Sequence, residues 1–457
     1  MSTAPPPVVV GAGPAGVRAI AALVRHGLKP VLIDESPRSG GQIYRRPPPP
    51  LQRSAGVLYG FDAARALAVH RDFDALAPHL DYRPGTLVWN ITEDAVHTAD
   101  AASGRRERIA RRDLILAPGA ADRTLPLAGW TTPGVFTMGG AQVLLKAQAC
   151  SIGRVVVFLG SGPLLYLVAW QYAKAGARVA AVLDVNPLRA RLRALPWLAA
   201  RPGMLARGLF YLASLRARGV PVLTGVEPLE VCADGDGVTG VRVRRDGAVL
   251  DFACDAVGYG YHLQAETQLA DLAGCEFRLD TQTRQWLPRA DRDGRAVPGV
   301  YLAGDGAAVR GADVAEWSGE LAALALLSDR GIAVDRTRVR RLRARIGRAA
   351  RFAEGLARAF PVPFHLLDGV ADDVLLCRCE EITLGAMRAA ARELGADEVN
   401  RAKAFARVGM GRCQGRVCAA AAASVLAAAC GGDVSQVGRL RGQPPIKPIP
   451  ILMDDAA

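Results

Sequence analysis

A strand, a tight glycine turn, an amphipathic helix and a second strand can be read in "PPVVVGAGPAGVRAIAALVRHGLKPVLIDES", and the same order returns 149 residues later in "RVVVFLGSGPLLYLVAWQYAKAGARVAAVLD". A buried strand turning through glycines into a helix closes as a βαβ unit, so the repeat predicts two doubly wound α/β folds in one chain. In the first turn, Gly11-x-Gly13-x-x-Gly16 with Pro14 and Ala15 between them, each glycine has a job. Gly11 permits the turn, Gly13 lets a pyrophosphate approach the helix N-terminus, and Gly16 lets helix and strand pack closely. Asp34 ends the second strand 23 positions after Gly11, where a carboxylate can accept ribose hydroxyls. Together these predict a dinucleotide site.

The second copy is degenerate. Gly160-x-Gly162 follows a strand and Asp184 ends the next, but Leu165 stands where the third glycine should be. A side chain there pushes the helix off the strand. Either a retained scaffold or a weak adenine-nucleotide site is expected, with no hydride role.

At 457 residues, half of them hydrophobic, the chain can fill several cores. Its net charge of +13 does not imply nucleic-acid binding. Only five of the 57 basic residues are lysines (Lys29, Lys146, Lys174, Lys403 and Lys447), and the arginines are scattered among alanines rather than clustered on a face. No apolar run reaches the ~18–20 residues of a transmembrane helix, and "MSTAPPPVVVGAG" does not resemble a signal peptide. A cytoplasmic location is expected, with peripheral attachment at the inner membrane allowed. The six histidines are dispersed, each expected at the surface or in a loop.

In a reducing compartment nine cysteines are core residues or ligands. Cys150, Cys232, Cys254, Cys275 and Cys430 are isolated and expected in the core. The other four are grouped as "CRC" (Cys377, Cys379) and "GRCQGRVC" (Cys413, Cys418), with 33 residues between the pairs. Thr383 is placed to cap one helix, Asp397 a second that Gly409 stops, and Cys418 opens a third, so short helices carry the two loops toward one another. Four thiolates suit a [2Fe–2S] cluster or a tetrahedral zinc. Zinc knuckles commonly use Cys-x2-Cys, whereas Cys-x-Cys is cramped around one ion. Arg378, Arg412, Arg416 and the positive end of the Cys418 helix would offset the charge of a four-thiolate cluster.

Other stretches add a family likeness. Gly40-Gly41-Gln42 follows the second strand, "LILAPGA" spans residues 114–120, and "VPGVYLAGDGAAV" is a strand ending in Gly304-Asp305. With the first glycine turn these resemble the flavoproteins with two dinucleotide-binding domains, the thioredoxin reductase-like enzymes. The resemblance implies FAD held by Gly11, Gly13, Gly16, Gly41, Gln42, Gly304 and Asp305, with Asp34, or its rival Glu35, on the adenosine ribose. Residues 1–330 hold no Cys-x-x-Cys or Cys-x4-Cys, so thiol reduction is not expected.

The cysteine pattern resembles the small BFD-type [2Fe–2S] module, with Cys-x4-Cys in place of the commoner Cys-x2-Cys. The whole order, ending in "RGQPPIKPIP", resembles the α subunits of heteromeric dye-linked dehydrogenases: opine oxidases, D-hydroxyproline dehydrogenase and the glycine-oxidising cyanide synthases. That resemblance implies an FAD and [2Fe–2S] electron-transfer subunit. Its partner would be an amino-acid-oxidase-like β subunit holding the amine, and its acceptor a membrane quinone or artificial dye. FMN at a subunit interface or a second adenine nucleotide would complete the cofactors. The expected architecture is an FAD domain (1–119 and 259–330), a second Rossmann-like domain (120–258), a helical connector (331–371), a BFD-like helical domain (372–432) and a tail (433–457). Two other readings stay open at this point: a stand-alone NAD(P)H oxidoreductase feeding its own cluster, and an iron- or redox-handling partner of bacterioferritin type.

Overall fold

The runs of valine, leucine and isoleucine predicted as strands are the middle of two parallel sheets, and their burial on both faces explains why they read as unbroken apolar runs. The computed structural model describes residues 5–51 and 53–449. In the first sheet the strands lie in the order Val300–Leu302, Leu114–Leu116, Val8–Val10, Val31–Ile33, Asp81–Arg83, all parallel. The second has the matching arrangement Val135–Thr137, Ala256–Tyr261, Val155–Ser161, Arg178–Asp184, Val222–Thr224, also all parallel, but its outer strand Val135–Thr137 comes first in the unit instead of last. Each unit also carries a three-stranded antiparallel meander, at Thr86–Ala110 ahead of Leu114–Leu116 and at Glu227–Ala253 ahead of Ala256–Tyr261. The fold is therefore mixed α/β with two like nucleotide-binding units and a C-terminal helical part.

The units are joined by two crossings, Ala120–Asp122 and Leu263–Ala265, paired antiparallel. Ala256–Tyr261 belongs entirely to the second sheet, so the return crossing lies a few residues beyond the 258/259 boundary expected from the sequence. "AVGYGY" reads like a turn because of its glycines. Here the glycines instead give room to neighbours: a Cβ at Gly258 would fall 2.5 Å from the Phe158 ring.

The arginine-rich connector is a packed element. Helix Arg336–Ala359 buries Leu342, Ala349, Phe352, Gly355 and Ala359, and Gly355 lies against Trp197 and Leu198. Beyond it, the hairpin Leu375–Cys377/Ile382–Thr383 and helices Leu384–Arg392, Val399–Ala406 and Ala419–Ala429 form the cysteine module. Leu376, Cys377, Leu384, Met387, Cys418 and Leu426 share one buried cluster with Val157, Leu159, Tyr259 and Tyr261 of the second unit. Thr383 caps its helix as expected, by accepting from the Ala386 amide. The next cap is Glu398 and not Asp397: its carboxylate accepts from the amides of Asn400 and Arg401. That helix ends at Arg407 in the left-handed region, before Gly409. Among the described residues no helix is long and apolar enough to cross a membrane.

The first unit depends on a very close approach of helix and strand. A Cβ on Gly16 would lie 1.7 Å from the Gly11 carbonyl oxygen, and one on Gly11 would lie 2.2 Å from that of Ala117. Gly16→Ala must therefore push helix Pro14–Arg25 away from the sheet. Its expected cost is about 1–3 kcal/mol, the usual range for overpacking, read as a lower midpoint of thermal unfolding. An unchanged midpoint would refute this account of the turn.

Candidate functional site

The three glycines and Asp34 meet at the C-terminal edge of the first sheet. The Asp34 carboxylate is buried, accepting from the Ala12 amide at 2.5 Å and the Ser36 amide at 2.6 Å, and burial raises its pKa. It thus braces the glycine turn while remaining at the end of its strand. Glu35 is ion-paired with Lys447. Pro14 opens the helix and Ala15 packs against Gly304 and Gly319. Gly13 faces Gly41: a Cβ on Gly13 would have only the Gly41 Cα nearby, at 3.7 Å. The fold leaves the Gly13 backbone open while closing tightly around Gly11 and Gly16, as a pyrophosphate cradle requires. Gln42 is exposed and accepts from Arg45 at 2.8 Å. On the adjoining loop, Asp305 accepts from the amides of Arg310 (2.9 Å) and Gly311 (3.3 Å), and burial raises its pKa. These residues fit a dinucleotide such as FAD.

The second turn is filled by the protein itself. Asp184 is fully buried and accepts from the Tyr166 hydroxyl at 2.7 Å, Arg191 at 2.5 Å and the Asn186 amide at 2.8 Å. The Arg191 guanidinium lies over the rings of Tyr166 and Phe360, both at 5.0 Å. At Gly162 a Cβ would meet the His262 ring at 3.0 Å, and His262 Nε2 bonds the Phe360 carbonyl at 2.5 Å. Burial, assisted by the charge of Arg123, pushes His262 down to about 4. It is a neutral packing residue, not the surface histidine its sequence neighbourhood predicts. Gly160 lies against the Gly260 carbonyl. The ribose-binding position is thus occupied by an internal ion pair.

The structure brings the four grouped cysteines together. Cys377 and Cys418 are hydrogen-bonded, as are Cys379 and Cys413. The bond with Cys418 pulls the Cys377 thiol down to about 5, helped by the amides of Gly409, Glu380 and Cys379. The same bond, then burial, drives Cys418 well up. Among the described residues no set of three or more His, Cys, Asp or Glu side chains is already arranged to hold a metal ion. The donor set, four thiols from two loops with backbone amides directed at one of them, is nevertheless the chemistry a four-thiolate centre uses. Of the isolated cysteines only Cys254 and Cys275 are buried; Cys232 is partly exposed, and Cys150 and Cys430 are exposed. Cys430 ends an alanine helix at the surface, so its apolar neighbours in sequence did not predict its environment.

Arg416 does not act as the counter-charge expected beside the thiols. Its guanidinium pairs with Glu266 at 2.5 Å and donates to the Ile446 carbonyl at 2.7 Å. Gln264 donates to the Arg416 carbonyl at 2.6 Å and Gln268 to the Gln414 carbonyl at 2.5 Å. The Cys413–Cys418 loop is thereby fastened to the return crossing, and the Glu266 carbonyl faces Gly306 beside Asp305. Two lysines were not singled out by sequence reasoning. Lys403 is buried near Cys418, and Lys447 reaches Glu35 and the field of Asp34 from the far end of the chain. In a chain so rich in arginine, the rarity of lysine was the available signal.

Residues 6–319 match the family model "Pyridine nucleotide-disulphide oxidoreductase" and residues 375–456 match "Sarcosine oxidase A3 domain". The chain is 35% identical to an opine oxidase subunit from Agrobacterium tumefaciens (strain Ach5), across 97% of this chain and 90% of that protein. It is 32% identical to hydrogen cyanide synthase subunit HcnB of Pseudomonas aeruginosa, across 97% of both. The solved structure of L-proline dehydrogenase from P. horikoshii shares the fold, with TM-score 0.69 and 19% identity over 98% of this chain and 79% of that one.

Because Gly13 has an extended backbone and open space at its Cβ position, Gly13→Val should fold with an unchanged unfolding midpoint yet lose dinucleotide. The check is flavin released on denaturation, expected to fall at least tenfold. A folded variant with full flavin occupancy would count against this cradle.

Proposed function

The chain belongs to the pyridine nucleotide-disulphide oxidoreductase family and groups within it with the opine oxidase subunits, and from that premise we propose that it is the electron-transfer subunit of a heteromeric flavin-dependent dehydrogenase for an amino acid, imino acid or opine. The observation that carries this reading is the fastening of the cysteine loop to the crossing beside Asp305, through Arg416 and Glu266. It holds the four thiols and the dinucleotide cradle in one body.

When bound, FAD supplies two-electron redox chemistry and a [2Fe–2S] cluster one-electron steps. The protein's part is to hold both. Gly13 and Gly41 admit the pyrophosphate, Asp34 the adenosine ribose, and Asp305 the ribityl chain. Cys377, Cys379, Cys413 and Cys418 would be the ligands of the cluster. Arg416 and Glu266 fix the separation between the sites.

The amine-binding pocket lies in this reading on an amino-acid-oxidase-like partner, and a membrane quinone or dye accepts the electrons on the cytoplasmic side. The filled second turn disfavours the stand-alone NAD(P)H reductase, since Asp184 has no side open to a ribose. The extensive core shared by the cysteine module and the second unit disfavours a free-standing iron-handling module.

Two measurements test the proposal. Anaerobically purified protein should contain iron and acid-labile sulfide in equal amounts; serine at any of the four ligands should remove most of both, while serine at exposed Cys150 should not. Zinc without sulfide would overturn the cluster. The isolated chain should turn over proline, hydroxyproline, glycine, sarcosine or opines with a dye at a negligible rate, and co-expression with its partner should restore turnover without NAD. Robust amine-dependent dye reduction by the single chain would refute the division of labour.

A further inference from the structure

The positive charge is concentrated in two segments, contrary to the scatter expected from the sequence. Residues 185–226 hold seven arginines and no lysine, aspartate or glutamate, and helix Arg336–Ala359 holds nine arginines and one glutamate. Their net charges of seven and eight exceed, together, the +13 of the whole chain. The two segments also touch. Ala194 and Leu198 of helix Leu188–Leu198 share a buried cluster with Phe352 and Ala359, and Gly355 lies against Trp197.

Away from that contact helix Leu188–Leu198 exposes apolar side chains. Leu188, Leu192 and Leu195 are 54%, 58% and 43% exposed, and their i, i+4, i+7 spacing sets them in one stripe. Single exposed leucines are ordinary, but an aligned row of three marks a contact surface. Arg189 and Arg193 each follow a leucine of the stripe, are exposed, and make no hydrogen bond or ion pair among the described residues. Arg191 is instead taken by buried Asp184. Arg358 lies over the Trp197 ring at 4.3 Å, and Glu354, the one acid of helix Arg336–Ala359, is paired with Arg358 at 2.6 Å. The following helix, Pro202–Ala217, buries only Leu215 and exposes Leu209 and Phe210.

We propose that helix Leu188–Leu198 lies on an anionic phospholipid surface, with its leucine stripe in the headgroup layer and Arg189 and Arg193 on the lipid phosphates. An apolar stripe beside free basic side chains is the build of an interfacial helix, and at 11 residues this one is too short to cross a bilayer. The absence of any acid from residues 185–226 matches a surface of one negative sign. A second copy of the chain would set arginines against arginines across a twofold contact. Nucleic acid would answer the charge but offers no apolar layer to three leucines. This inference deepens the functional reading above and rests on it, since a chain whose electrons pass to a membrane quinone gains from being held at the bilayer.

The test sediments the purified full chain with vesicles of phosphatidylcholine alone and of phosphatidylcholine mixed with phosphatidylglycerol. Binding should be saturable on the anionic vesicles, at least tenfold weaker on phosphatidylcholine, and reduced by salt. Arg189→Gln with Arg193→Gln should weaken it at least tenfold, since each basic residue near an anionic surface contributes roughly fivefold. Leu188→Ser, Leu192→Ser and Leu195→Ser together should weaken it at least tenfold with the arginines intact. Both variants should keep their flavin content and unfolding midpoint, because the altered side chains are exposed. Equal binding to the two kinds of vesicle, or a leucine variant that binds like the parent chain, would overturn the proposal. Variants that keep vesicle binding but lose the partner subunit on co-purification would also overturn it and give the stripe to a protein. Turnover of the assembled complex with a soluble dye should be unchanged in both variants, which separates a failure here from a failure of the functional reading.

Discussion

The ion pair between Arg416 and Glu266 is the contact through which the separate parts of this molecule act as one. Arg416 comes from the cysteine loop and Glu266 from the end of the return crossing, and both side chains are largely shielded from water. Removing one partner of such a pair leaves a shielded charge without compensation, a loss of about 3–5 kcal/mol when burial is complete. The same guanidinium holds the Ile446 carbonyl. A single side chain therefore joins the thiol loop, the hinge between the nucleotide units and the C-terminal segment. The neighbouring glutamines act in the same direction by bonding backbone carbonyls of the loop, which fixes its main chain as well as its charge.

Much of the fold was legible in the sequence because its signals are local. Apolar runs followed by glycine turns, the acid closing each second strand, and Thr383 before an amphipathic helix all report on structure within a few residues. What the sequence could not reveal depends on contacts between distant segments. Glu398 outcompetes Asp397 because the helix begins one residue later. The return crossing hides inside "AVGYGYHL" because Gly258 answers to the Phe158 ring, a hundred residues earlier in the chain. Arg416 looked like a counter-charge for the thiols because Glu266 is invisible from its neighbourhood. The four cysteines are an intermediate case: their grouping was plain from spacing, while the pairing of Cys377 with Cys418 and Cys379 with Cys413 comes only with the fold.

The two nucleotide units show how one topology can be kept while its ligand chemistry changes. Both have the same four inner strands and meander, differing in whether the outer strand comes last (Val300–Leu302) or first (Val135–Thr137) in the unit, and both close their second strand with an aspartate. In the first, Asp34 is held by the amides of Ala12 and Ser36 and by the Ser36 side chain, with no side chain of its own helix Pro14–Arg25 drawn onto it. In the second, Tyr166 and Arg191 take the carboxylate, and His262 and Phe360 take the space beside the turn. Leu165, fully buried in the core of that unit, marks the same change: a position that a close turn reserves for glycine has become a packing position.

Ile446 is completely buried among Val8, Val10, Ile33, Val300 and Leu302, and its amide bonds the Trp89 carbonyl. The first sheet is therefore finished by residues that leave the ribosome long after its central strand. During synthesis the N-terminal unit must wait with an uncovered apolar groove, and its acid pair at Asp34 and Glu35 waits for Lys447.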